Sequence, residues 1–93
     1  MPAEKGESVE ITVGRFGFVS VGYAKHDSDL HRYRRARTII RWGTSSGLEE
    51  LVNGPLQNTK LSAPADGFRP WFSVEHVISV NAEKWEPVLD SDA

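Results

Sequence analysis

The sequence predicts a mainly β domain carrying two short helices, and three observations support that prediction. Period-two patterning is clear from the start, where Val9, Ile11 and Val13 alternate with Ser8, Glu10 and Thr12, the pattern of a half-buried strand. β-branched and aromatic residues crowd positions 16–24, 38–42 and 71–80, with Gly, Pro, Asn and Asp between the runs. Helix signals, by contrast, cover only two brief stretches. A chain of 93 residues with elements this short closes a core most economically as a strongly bent antiparallel sheet or an SH3-like barrel of about five strands.

Residues 1–7 are polar and contain Pro2 and Gly6, which suits a flexible N-terminal arm. A single globular domain is expected over 8–89, followed by a flexible tail at 90–93. The first strand ends in a tight connection at Gly14-Arg15, although Gly17 allows the bend to fall slightly later. Residues 16–24 carry apolar side chains on both faces, so this strand is either buried on both sides or sharply curved at its glycines. Curvature suits the short chain better. The segment from Lys25 to Leu30 is a polar turn.

The next strand, residues 31–42, holds five of the seven arginines. Arg32, Arg34, Ala36, Thr38, Ile40 and Trp42 share one face, and Tyr33, Arg35, Arg37, Ile39 and Arg41 share the other. Its second half is expected to bury Ala36, Thr38, Ile40 and Trp42, leaving Arg35, Arg37 and Arg41 in an exposed row with Tyr33. Arg32 and Arg34 must then project beyond the core.

Ser46 and Glu49 have capping-box spacing, Asn53-Gly54 supplies a left-handed stop and Pro55 forbids continuation. The short helix between them is too brief to stand alone and is expected to cover one end of the sheet. Thr59-Lys60-Leu61 is a brief strand candidate and residues 63–67 form a turn-rich loop, with Pro70 confining any strand there to an edge or a beginning. In 71–80, Phe72, Val74, His76, Ile78 and Val80 alternate inward. A bulge near Glu75-His76 would bring Val77 inside instead, and both registers stay open. Asn81 caps a final helical turn over 82–86 that Pro87 stops.

Composition narrows the function classes. A hydrophobic fraction of 39% with 26% charged residues suits a folded domain rather than a disordered chain. The absence of cysteine excludes disulfides and thiolate zinc sites and suits a reducing cytosol. No signal-peptide pattern or membrane-length apolar run is present, so the expectation is a soluble, cytoplasmic protein with no membrane partner. A net charge of −2 argues against a whole-surface nucleic-acid binder. The charge is nevertheless segregated, with Glu4, Glu7 and Glu10 at the start, Glu83, Glu86, Asp90 and Asp92 at the end, and the arginines between them. A local positive face follows from that distribution.

Residues 26–31, His-Asp-Ser-Asp-Leu-His, offer four metal-ligand side chains, but the spacing fits no established loop and turns favour Asp and Ser in any case. A solvated turn with no metal site is expected. Gly43-Thr44-Ser45-Ser46-Gly47 precedes a helix N-terminus but lacks the lysine of a P-loop. His76 reads as a satisfied core histidine. No nucleophile–base pair is apparent, so neither an enzyme nor a cofactor is expected.

The order Arg37-x4-Trp42, then Gly47-Leu48, then Asn53-Gly54-Pro55, then Val77-x2-Val80 before Trp85-Glu86 resembles a family of small uncharacterised proteins. These are encoded by tailed phages and prophages and form a domain of unknown function. The resemblance spans roughly residues 9–87. It implies a compact, mostly β domain and a phage or prophage context, hence a bacterial host cytoplasm, and it carries no activity with it. The basic run from Arg32 to Arg35 departs from the pattern.

Arginine offers planar, bidentate contacts to phosphate, and nearby aromatic rings can stack on a base. The expected function is therefore a non-catalytic binding module. It would hold a nucleotide, a nucleic-acid segment or an acidic surface through Arg32, Tyr33, Arg34, Arg35, Arg37 and Arg41, with Trp71 as an aromatic platform. The bland counterpart is an edge strand protected by charge, its arginines paired with Glu10, Glu49 or Glu50. The alternative function is a phage-encoded protein–protein interaction factor, a host-defence antagonist or virion accessory. It would dock on a host or virion protein through its aromatic and arginine surface, while Phe16, Phe18, Val19, Val21 and Tyr23, with Phe68, Trp71 and Phe72, would also suit a homo-oligomer or partner interface.

Overall fold

The computed structural model describes residues 5–15, 17–27, 29–45 and 47–91. Expectations resting on residues 1–4, Phe16, Ser28, Ser46, Asp92 and Ala93 lie outside these. Six antiparallel strands make one sheet: β1 (Ser8–Gly14), β2 (Val19–His26), β3 (Leu30–Arg41), β4 (Lys60–Leu61), β5 (Ala65–Pro70) and β6 (Val74–Ser79). A 3-10 turn at Leu48–Leu51 precedes β4, a second at Trp71–Ser73 joins β5 to β6, and α1 (Ala82–Leu89) ends the fold. The mainly β expectation holds.

The path β4-β3-β2-β1-β6 is a meander with one late strand added beside the first, and β5 pairs with the N-terminal half of β3. The sheet is therefore strongly bent. Its two ends are bridged by the 3-10 turn at Trp71–Ser73, and no ladder joins β5 to β6 among the described residues. β5, where a turn-rich loop was expected, places Pro70 at its end, facing no further partner strand.

One face of the sheet is the apolar core. Val9 and Ile11 of β1 sit opposite Tyr23 and Val21 of β2, and Ile39 of β3 continues the layer. Leu48, Leu51, Trp85 and Leu89 cover it from the 3-10 turn and α1. The fully buried Trp85 donates its indole N–H to the Leu51 carbonyl at 2.7 Å, which satisfies its one polar atom while the ring fills the core. Asn81 is the N-cap of α1, as its sequence position suggested: its Oδ1 accepts from the Glu83 amide at 3.1 Å.

Several expectations are corrected. The short helix before Asn53-Gly54 is a single 3-10 turn, and its box is formed by Glu50 rather than Glu49, the Glu50 carboxylate accepting from the Gly47 amide at 3.0 Å. α1 does not stop at Pro87 but runs through it to Leu89, because the ring is exposed while Trp85 and Leu89 are buried on the other side. Phe72 and His76 are exposed: Phe72 lies in the 3-10 turn, and His76 pairs with Val13 on the same face as Ile78 yet is not covered. A bulge does occur at Glu75, but it does not bring Val77 into the core: Ile78 and Val80 pack there, as the alternating register expects.

The largest correction concerns β3. A bulge places two residues, Arg35 and Ala36, opposite Gly22, with Arg35 at a positive φ of 54°. A bulge shifts the strand by one residue, and every later side chain changes face. Arg37 and Ile39 therefore point into the core, whereas Thr38 and Ile40 are exposed, Ile40 by 67%. Gly22 is required here: a Cβ on it would lie 2.6 Å from the Ala36 Cα. β3 is also no edge strand, being paired with β2 on one side and with β4 and β5 on the other, so edge protection does not explain its charge. No helix among the described residues is long and apolar enough to cross a membrane.

Candidate functional site

The bulge sends the central arginines toward α1. Arg37 is 7% exposed and donates to the Val88 carbonyl at 3.0 Å and the Ser62 carbonyl at 2.7 Å. Arg35 donates to the Leu89 carbonyl at 3.0 Å and the Ser91 carbonyl at 2.9 Å. The last turn of a helix leaves carbonyls without intrahelical partners and carries partial negative charge, so two guanidiniums there serve as a C-terminal cap. The exposed row of Arg35, Arg37 and Arg41 with Tyr33 therefore does not form. Arg41 alone of the three arginines is exposed.

The first half of the strand is likewise committed. Arg34 stacks over the buried Tyr23 ring at 4.4 Å and grips Glu7 through Nε and Nη2, at 3.0 and 2.8 Å. Glu7, expected in a flexible arm, is thereby held to the sheet. Arg32 pairs with Asp27 and lies 5.8 Å from the Phe68 ring. The acids that meet Arg34 and Arg32 here are Glu7 and Asp27.

The opposite face of the sheet is polar yet largely enclosed. β1 contributes Glu10 and Thr12, which are buried rather than solvated, because the chain from β5 through Trp71 folds across them. At one end of this face lies a cavity of about 310 Å³, lined by Arg15, Phe18, Ser20, Tyr33, Thr38 and Arg69 together with Gly14 and Ser73. No carboxylate lines it among the described residues. Arg69 stacks on the Tyr33 ring at 4.4 Å, and its Nε is buried without a hydrogen-bond partner. Burial pulls the guanidinium below its ordinary pKa, with Tyr33 acting the other way. A desolvated cation that lacks an anionic partner is costly and is relieved by a bound anion. The hollow beside Arg32 and Arg34 also contains Lys25, Glu7 and Asp66, so its cations already have carboxylates beside them.

At the other end of the polar face, cross-strand neighbours His26 and His31 converge on Glu10. His26 Nε2 lies 2.9 Å from the Glu10 carboxylate and His31 Nε2 lies 3.5 Å from it. His31 is 1% exposed and neither of its ring nitrogens has a well-aligned hydrogen-bond partner. Burial pushes the Glu10 carboxyl upward, but the imidazoles of His31 and His26 and the Ser8 hydroxyl outweigh it, leaving the group below the ordinary carboxylate range. Trp71 packs edge-on against both imidazoles and donates its indole N–H to the Asp27 carbonyl at 3.0 Å. It belongs to this cluster and does not line the arginine cavity.

Of the residues expected to form a site, only Tyr33 lines the acid-free cavity. Arg15 and Arg69 were missed because each is isolated in sequence. Glu10 was missed because strand alternation assigns it to the solvent side. Comparisons with protein-family models, curated proteins and solved structures returned no match to this chain.

Proposed function

We propose that this protein is a non-catalytic binding module for an anionic ligand of nucleotide type, seated on the polar face of the sheet. A phosphate would lie against Arg69 and Arg15, with Ser20 and Thr38 hydroxyls completing its hydrogen bonds. A flat ring would rest on Phe18, which lines the cavity and is 67% exposed. The observation that supports this reading is Arg69: a guanidinium buried on one side, stacked on Tyr33, and facing a cavity with no carboxylate. Charge-assisted bonds to phosphate are among the stronger polar contacts, and arginine presents them in a planar fork.

The test is calorimetric titration with nucleoside mono-, di- and triphosphates, and with pyrophosphate as a ring-free control. Arg69→Met and Arg15→Met should each weaken binding at least about tenfold, roughly one charge-assisted contact. Arg41→Met should leave it unchanged, and rising salt should weaken binding in the wild type. Absence of binding to every anion at millimolar concentration, or an unchanged affinity in Arg69→Met, would rule the reading out.

A second reading is favoured by a separate observation. Phe68 and Phe72, on adjoining elements, are 61% and 71% exposed, and exposed aromatics of this kind suit a partner interface. In the phage setting that the sequence resemblance implies, the partner would be a host protein. Such binding would resist salt and fall with Phe72→Ser, whereas anion binding would not respond to that change.

A further inference from the structure

The histidine–carboxylate cluster is independent of the arginine cavity, and its geometry points to a binding site for a first-row divalent metal ion of the zinc class, held by Glu10, His26 and His31. The three residues come from three adjacent strands: Glu10 in β1, His26 at the end of β2 and His31 at the start of β3. One donor atom from each lies within 4.8 Å of the others. In a tetrahedral site with metal–ligand bonds of about 2.0–2.1 Å, neighbouring donors stand about 3.3 Å apart. The existing separations of 2.9 Å and 3.5 Å from the Glu10 carboxylate bracket that value, and with every donor pair within 4.8 Å side-chain rotation brings the set to a common ion.

His31 supplies the second, independent indication. An imidazole that is 1% exposed, with no hydrogen-bond partner at either ring nitrogen and only a 3.5 Å approach of Nε2 to Glu10, forfeits hydrogen bonds it would make in water. Coordination through Nε2 removes part of that cost. Its position is also fixed in advance, because it pairs across the hairpin with His26 and packs against Trp71 at a centroid distance of 5.1 Å. The Ser8 hydroxyl donates to Glu10 Oε2 at 3.0 Å, the kind of outer contact that orients a carboxylate ligand. Two imidazoles with one carboxylate suit zinc, cobalt or nickel. Magnesium and calcium, which prefer oxygen ligands alone, are disfavoured. Three protein donors leave the remaining position to water, and the half-exposed His26 side chain places that position toward solvent. Bound there, the ion ties the ends of three strands together.

Titration of the full chain, free of any affinity tag, with Zn²⁺ by calorimetry and with Co²⁺ by visible absorption tests this site. The expected result is one ion per chain at micromolar concentration and a tetrahedral Co²⁺ spectrum. His26→Gln, a change at a half-exposed position whose folding circular dichroism verifies, should weaken binding at least about tenfold. His76→Gln, remote from the cluster, should leave it unchanged. Independently of any variant, Zn²⁺ should shift the ring resonances of His26 and His31 and leave those of His76 in place. Failure of the wild type to take up either ion overturns the assignment, as does unaltered affinity in His26→Gln or a response confined to His76.

Discussion

Replacing Arg37 with Met tests whether the arginine strand caps the terminal helix or serves a ligand. The substitution retains most of the apolar stem and removes the guanidinium that reaches the Val88 and Ser62 carbonyls at 3.0 and 2.7 Å. A hydrogen bond to a charged group contributes about 1.5–3 kcal/mol, so two represent about 3–6 kcal/mol before compensation. Removing a buried charge also removes its desolvation cost, which offsets part of that figure. The net loss should be about 2–4 kcal/mol. For a domain of this size each kcal/mol moves the melting temperature by about 4–8 °C, giving a fall of about 8–32 °C. Arg41→Met, at an exposed position on the same strand, should stay within about 0.5 kcal/mol of wild type. Thermal unfolding followed by circular dichroism, with urea denaturation as a second measure, gives the answer. Arg37→Lys should fall between the two, since one ammonium cannot copy the fork that spans both carbonyls. If Arg37→Met melts with Arg41→Met, the cap is not what holds the helix end. A drop in anion affinity without a drop in stability would return Arg37 to a ligand-binding role.

Two further predictions concern the sheet. Gly22→Ala puts a Cβ 2.6 Å from the Ala36 Cα, and since backbone must move, the cost should be about 1–3 kcal/mol by urea denaturation; a neutral effect would mean that the bulge is not tightly packed on β2. Tyr23 is fully buried, and burial raises its hydroxyl pKa above the ordinary value, reinforced by its bond to Asp90 at 2.9 Å. A raised folded pKa contributes stability that is present below the unfolded value of about 10 and is lost as pH rises above it, because the unfolded chain then releases a proton that the folded one retains. The loss attributable to one group is at most about 1.4 kcal/mol per pH unit. Tyr23→Phe should therefore be less stable at neutral pH by about 1 kcal/mol and should show a shallower decline in melting temperature above about pH 10. Parallel curves for the two proteins would show that Tyr23 does not carry the alkaline sensitivity.

The candidate sites were legible only in fragments. The arginines of residues 32–41 stand out in any composition scan, yet a run of like charges says nothing about which carbonyls or carboxylates the fold will bring to it. Arg34 meets Glu7 and Arg35 meets Leu89, partners 27 and 54 residues away in sequence. Arg69 is a single arginine between Phe68 and Pro70 and carries no sequence signal, although its solitude is what leaves it without an acid neighbour. His26 and His31 were visible as ligand types, but the third donor came from β1 rather than from the turn between them. A useful signal was available in the symmetry of the hairpin, since residues five apart across a four-residue connection face each other on paired strands.

What the sequence determined by itself is whatever depends on neighbours along the chain. The period-two pattern of β1, the Asn81 cap and the stop at Gly54 are all local, and all appear in the fold. Tertiary structure decided which way side chains point after an irregularity and what covers each face. The bulge at Arg35 depends on the close approach of β3 to Gly22, and it reverses the sense of the residues from Arg37 to Ile40. The polar side of β1 becomes interior only because β5 and Trp71 cross over it. Alternation reports two faces but cannot say which of them water will reach, because that is set by segments distant in sequence.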